Sequence, residues 1–143
     1  MAGTDERVAQ NREVIEEFRA RDGVVGGRFE GLPLLLLTTT GARSGEPRVS
    51  PLAYLADGGR WVVFGANGGR TDHPGWYHNV LAEPAVRVEV GGEVFAAVAR
   101  PLADGEERDR LWATQTGALP VLEQLAGRTG RTVPVVVLER VDG

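Results

Sequence analysis

The residues able to do chemistry gather in two stretches of this 143-residue chain. The first is the loop Gly41-Ala42-Arg43-Ser44-Gly45-Glu46-Pro47-Arg48. Its glycines leave backbone N–H groups open, Ser44 adds a hydroxyl, and Arg43 and Arg48 add guanidinium forks. That set suits phosphate oxygens. The second stretch runs from Phe64 to Asn79. A strand ends in Ala66-Asn67-Gly68-Gly69, and a helix starts at Pro74 with Trp76, Tyr77 and Asn79 in its first two turns. Helix N-termini attract anions. Trp and Tyr offer flat rings with a polar tip, and Asn both donates and accepts. Together they would wall a planar heterocycle with a phosphorylated tail. Taken alone, each stretch also has a plainer reading: a solvated hairpin loop with two ordinary arginines, and a core Trp on a short helix.

Other chemistries are excluded by what the chain lacks. There is no Cys, so no disulfide scaffold, thiolate metal site or Cys nucleophile. All 16 basic residues are Arg, which removes Schiff-base chemistry and a P-loop lysine. No Gly-x-Ser-x-Gly elbow and no Walker A motif occurs. His73 and His78 fall on different faces of a helix, which argues against a shared metal. Asp57 reads as a turn residue, and Asp104, Glu106 and Glu107 as the acidic start of a helix. A net charge of -4 argues against a general affinity for nucleic acid. No apolar run approaches the ~18 residues of a membrane span, and residues 1–12 do not read as a signal peptide, so a cytoplasmic location is expected.

The elements that must position these residues follow from pattern and punctuation. Thr4 to Gly23 reads as a surface helix, with Thr4 as cap and Val8, Ile15 and Phe18 on one apolar stripe. That stripe could dock on its own domain, on a partner or on a membrane surface. Strands are expected at 34–39, 48–56, 60–66, 86–90, 93–100 and 133–140. Asp57-Gly58-Gly59 and Gly91-Gly92 supply hairpin turns. A short helix begins with Pro74 in its first position, another spans 104–113, and 117–130 has Leu119, Leu122 and Leu125 at helix-like spacing. Strands arriving in hairpins favour antiparallel pairing. Six short strands remove their edges most simply by closing into a barrel. The fold class is therefore α+β, with a β-barrel core and outer helices. Residues 1–23 form the N-terminal helix and 24–143 the barrel domain.

The motifs also carry a resemblance over residues 30–140. Leu34-Leu35-Leu36-Leu37-Thr38-Thr39-Thr40-Gly41, Arg43-Ser44-Gly45-Glu46-Pro47-Arg48 and Ser50-Pro51-Leu52 come first. Gly68-Gly69, His73-Pro74-Gly75-Trp76-Tyr77-His78-Asn79 and Glu83-Pro84 follow, and Arg131-Thr132-Val133-Pro134-Val135 closes the series. In order and spacing they resemble the deazaflavin (coenzyme F420)-dependent nitroreductase family. The resemblance implies the split β-barrel of the FMN-binding proteins and reduced coenzyme F420 as cofactor. It implies hydride transfer to an electron-poor acceptor: a quinone, a conjugated lactone or enone, or a nitro compound.

The same resemblance assigns residues. Ala42, Arg43, Ser44 and Arg48 would meet the phosphate and its tail. Val49, Ser50, Pro51, Leu52 and Ala53 would line the cofactor from the strand side. Phe64, Gly65, Ala66 and Asn67 would offer backbone groups. Gly75, Trp76, Tyr77, His78 and Asn79 would complete the cradle. Leu119, Leu122 and Leu125 stand where the nitroimidazole-activating member has tyrosines, so the acceptor wall here is aliphatic. Ala42 and Asn67 replace basic residues, which implies a more loosely held tail. An apolar small-molecule acceptor is the expected partner. No catalytic side chain is expected, and a homodimer is in keeping with the family. Two competing readings use the same fold: a non-catalytic protein that binds F420 or a lipid, and an FMN-dependent enzyme.

Overall fold

The structure, a computed structural model, describes residues 2–26 and 31–141, with side chains in the first helix from residue 11 onward. Among the described residues there are four α-helices, seven strands and a single 3-10 turn at Asn67–Gly69. In chain order the helices and strands are α1 (Ala2–Ala20), β1 (Leu34–Thr40), β2 (Pro47–Ala53), β3 (Leu55–Asp57), β4 (Arg60–Phe64), α2 (Gly75–Ala82), β5 (Ala85–Val90), β6 (Glu93–Pro101), α3 (Glu106–Ala118), α4 (Pro120–Thr129) and β7 (Val135–Arg140). The strands form one antiparallel sheet in the order β2-β1-β5-β6-β7-β4-β3.

The two outermost strands, β2 and β3, are separated only by Tyr54. The sheet must therefore curl until its edges meet, and the barrel stays split along that seam. The single strand expected over 48–56 is broken at Tyr54: its N–H still bonds the Pro33 carbonyl opposite it, 3.1 Å, but from Leu55 on the chain pairs with β4. Pro47 and Pro51 are tolerated in β2 because an edge strand needs no donors on its outer side.

Burial explains the continuous apolar runs. In β1, Leu35 and Leu37 face the barrel interior with Val63, Trp76, Val88, Phe95 and Leu138, while Leu34 and Leu36 face outward onto Phe18 of α1. In β7, Val136 and Leu138 point inward, and Val135 and Val137 outward onto Leu111 of α3. Strands covered on both faces lose the alternation of half-exposed strands. In β6 Phe95, Ala97 and Ala99 are buried between the exposed Val94 and Val98.

The first helix settles its docking question among the described side chains. Ile15 and Phe18 pack on Leu34, Leu36, Val49 and Ala53, so the stripe is covered by the barrel. Arg19 adds a two-point pair to Glu89 of β5, Nε–Oε1 3.0 Å and Nη2–Oε2 2.9 Å. The Val8 side chain lies outside the described residues. The helix includes Thr4 rather than starting after it, so Thr4 is not its cap. Near its end, the Gly23 N–H bonds the Phe18 carbonyl at 2.8 Å. None of the described helices is long and apolar enough to cross a membrane.

Several boundaries differ from the sequence reading: β4 ends at Phe64 rather than Ala66, β7 begins at Val135 rather than Val133, and α3 begins at Glu106 rather than Asp104. Pro74 is the residue before α2, not its first turn. The third helix runs to Ala118, five residues beyond Ala113, and the mixed stretch 117–130 resolves into a separate helix. Pro120 starts that helix and Gly130 ends it in the left-handed region, as Pro and Gly favour. Asp57 is the last residue of β3, not part of the turn, which is Gly58-Gly59 alone; both have positive φ, as a two-residue hairpin turn requires. The Asp57 carboxylate binds Arg60 and Arg110, tying the hairpin to α3, and those hydrogen bonds lower its pKa to about 2. Glu107 pairs with Arg60 and Arg100. These acids are structural.

Candidate functional site

A cavity of about 1090 Å³ opens beside edge strand β2. Small-molecule sites run from ~300 to ~1000 Å³, so this one stands at the top of the range, the size a large cofactor needs. The strand supplies Arg48, Val49, Ser50, Pro51, Leu52 and Ala53 to the lining. The end of β4 and the turn after it supply Phe64, Ala66 and Asn67, and α2 supplies Gly75, Trp76 and Asn79. The α3–α4 region supplies Leu119, Leu122 and Leu125. The residues singled out from two distant stretches of sequence thus share one space.

Others do not reach it. Ala42, Arg43 and Ser44 are exposed in the loop leading into Pro47 and are absent from the lining. Gly65 lies against Pro134. Tyr77 turns its ring toward His73, centroids 4.8 Å apart, and packs on the barrel core. His78 is exposed. Their backbone lies in the turns that shape the cavity, but their side chains form none of its wall.

Local hydrogen bonds fix the loop. Its ends close through the Gly41 N–H to the Glu46 carbonyl, 2.8 Å, and the Gly45 N–H to the Gly41 carbonyl, 2.9 Å. Ser44 Oγ accepts from the Glu46 N–H at 3.1 Å. A Cβ at position 41 would stand 2.6 Å from that hydroxyl, so Gly41 is needed for the close approach. Asn79 then anchors the loop to α2. Its Oδ1 accepts from the Ala42 N–H, 3.0 Å, and its Nδ2 donates to Thr39 Oγ1, 3.0 Å.

The other side of the α2 approach is held by Arg131. Its Nη2 donates to the Ala66 carbonyl at 3.2 Å, and its Nη1 lies 3.1 Å from His73 Nδ1. A guanidinium only donates, so His73 accepts there and keeps its own proton on Nε2. Burial first, and then the Arg131 charge, holds the His73 pKa below its ordinary 6.5. Among the described residues, Arg131 Nε is buried without a hydrogen-bond partner.

The sequence reading missed several lining residues: Asn11, Arg12 and Ile15 of α1, then Leu32, Pro47, Gly68, Pro74, Gln115 and Val121. A signal for Gln115 existed. Leu111, Gln115 and Leu119 recur every four residues, one helical face, and Gln115 is a polar residue on that apolar face. Ending the helix at Ala113 hid it.

The charge balance of the lining is one-sided. Arg12 and Arg48 line the cavity, and among the described residues no Asp, Glu, His or Tyr does. No ion pair engages either arginine, nor Arg43, among the described residues. In a chain of net charge -4, such a cavity focuses positive potential and favours an anionic ligand. Trp76 and the β2 side chains add apolar surface, and Asn67 and Asn79 add amides. That donor set fits a planar ring with an anionic tail.

A curled, split antiparallel barrel with a cation-lined cavity beside its edge strand defines a split-barrel cofactor-binding protein. Comparison with known proteins narrows the class. The family model described as F420H(2)-dependent quinone reductase matches residues 10–140. An F420H(2)-dependent quinone reductase of Mycobacterium tuberculosis is 37% identical over 126 residues, covering 86% of this chain and 85% of that protein. A solved F420-H2 dependent reductase, FDR-A, is 39% identical with a TM-score of 0.68, over 75% of this chain and 94% of that one. A structure described as a domain-swapped dimer is 37% identical with a TM-score of 0.70, over 95% and 99% of the two chains. The chain belongs to the F420H(2)-dependent quinone reductase family. It is an oxidoreductase, and its cofactor is reduced coenzyme F420.

Proposed function

We propose that β2, the end of β4 and α2 seat coenzyme F420, and that the α3–α4 part of the cavity receives a flat, apolar conjugated carbonyl compound, a quinone foremost. One observation carries this reading: a single large cavity combines arginines, with no carboxylate among its described lining residues, and an aliphatic wall. When bound, the cofactor supplies the hydride. Arg48 meets its phosphate, with Arg43 reaching the tail from the loop. Trp76 and Pro51 confine the ring, and Asn79 keeps the loop in place by its two hydrogen bonds. Residues 24–143 are then the cofactor-binding domain, and the N-terminal segment of residues 1–23 completes the cavity through Asn11, Arg12 and Ile15 of α1.

Orientation and electrostatics are the protein's contribution. No acid lines the cavity among the described residues, so the proton that completes reduction comes from water. A homodimer accords with this reading. One solved relative is a domain-swapped dimer, and the outer face of β6 leaves Val94 and Val98 exposed.

The acceptor class is tested with a panel of acceptors and reduced F420. Leu119, Leu122 and Leu125 offer no hydroxyl to a nitro group. Quinones and conjugated lactones should turn over at least about tenfold faster than bicyclic nitroimidazoles, the scale of one lost polar contact. A nitroimidazole rate comparable with that of the best quinone contradicts the proposal.

A further inference from the structure

The α3 face of the cavity holds one polar side chain that its surroundings do not explain. Gln115 is 4% exposed, lines the cavity, and sits one helical turn before Leu119. Its backbone carbonyl accepts from the Leu119 N–H at 2.7 Å. No group among the described residues hydrogen-bonds its side-chain amide, and none of its polar atoms is sealed away from the cavity. The residue is buried as a whole, yet its amide keeps accessible surface at the cavity that the residue lines, where a ligand can meet it. The amide is thus poised toward a ligand, where it can donate through its NH2 and accept through its oxygen.

We infer that Gln115 is the specificity-determining contact for the acceptor, its NH2 donating to the acceptor's carbonyl oxygen. The inference rests on the cofactor seat proposed above. Gln115 belongs with Leu119 and Leu122 on the α3–α4 wall, away from β2 and α2 in the chain. Two electrons delivered to a conjugated carbonyl gather charge on that oxygen, and a hydrogen bond there strengthens as they arrive. The amide holds the oxygen but gives up no proton; protonation follows from water. A cavity built to hydrogen-bond a carbonyl rejects a flat hydrocarbon that lacks one, since the amide then stays unpaired.

The test is Gln115→Met, nearly isosteric and without hydrogen bonds, measured beside wild type in three ways. Wild type is first titrated with F420, which examines the cofactor seat separately. The variant's F420 affinity should stay within about twofold of wild type. The melting temperature of the ligand-free variant should be unchanged or raised by a few degrees, because no hydrogen bond within the protein is lost and an apolar side chain is added to the wall. Its kcat/KM for a quinone should fall about tenfold or more, one hydrogen bond to developing charge. Wild-type F420 binding with an undiminished kcat/KM in the variant overturns the inference alone. A melting temperature lowered by several degrees would show a structural amide, and a matching loss of F420 affinity would show a cofactor contact; either overturns it. Absence of F420 binding by wild type overturns the cofactor seat and the inference together.

Discussion

Asn79 shows how one side chain can set a site without joining its chemistry. Both ends of its amide are engaged, one by the Ala42 N–H and one by Thr39 Oγ1, so it fixes the loop against α2. The Arg131–His73 contact does the same for the approach to α2, and it carries a pH signature. Burial and the Arg131 charge keep His73 neutral below its ordinary pKa, so the unfolded chain takes up a proton near pH 6.5 that the folded chain refuses. The stabilising contribution is complete above about pH 6.5 and declines as pH falls toward the lowered folded value. Melting temperatures measured from pH 7.5 to 5.5 should therefore drop toward acid, and His73→Gln should flatten that slope. An identical slope in the variant would remove His73 from the account. Residues of β2 and α2 were legible in the sequence because each motif is contiguous and carries its own turn residues. Arg12 was not, because it reaches the cavity from an element distant in the chain, and Gln115 was hidden by ending its helix at Ala113 when the helix runs to Ala118.

At the scale of elements, the hairpins could be read from Asp57-Gly58-Gly59 and Gly91-Gly92, and the antiparallel sheet with them. The break at Tyr54 could not, because it depends on how far the sheet curls, which no local pattern encodes. The place of α1 was equally open in the sequence: a stripe of apolar residues fits any apolar surface. In the structure Phe18 is 1% exposed against Leu34 and Leu36. Phe18→Ala should cost about 3–5 kcal/mol in urea unfolding, the usual range for emptying a buried aromatic site. A loss under about 1 kcal/mol would mean that the helix is not docked, and would reopen a partner or a membrane as the owner of its stripe.

On the scale of the whole molecule, the decisive feature is contrast. The chain is acidic, yet its large cavity contains arginines and, among the described residues, no carboxylate. The fold alone does not choose a cofactor; the family does. Much of that lining was carried by motifs of ordered spacing, and the family they resemble is the family to which the chain belongs. The most direct test of the central claim is a fluorescence titration of the purified protein with F420 and, separately, with FMN. F420 should bind with micromolar or tighter affinity, with FMN failing to bind at the same concentrations. Binding of FMN alone would leave the barrel intact and contradict the cofactor, the tail contacts and the acceptor site built upon them.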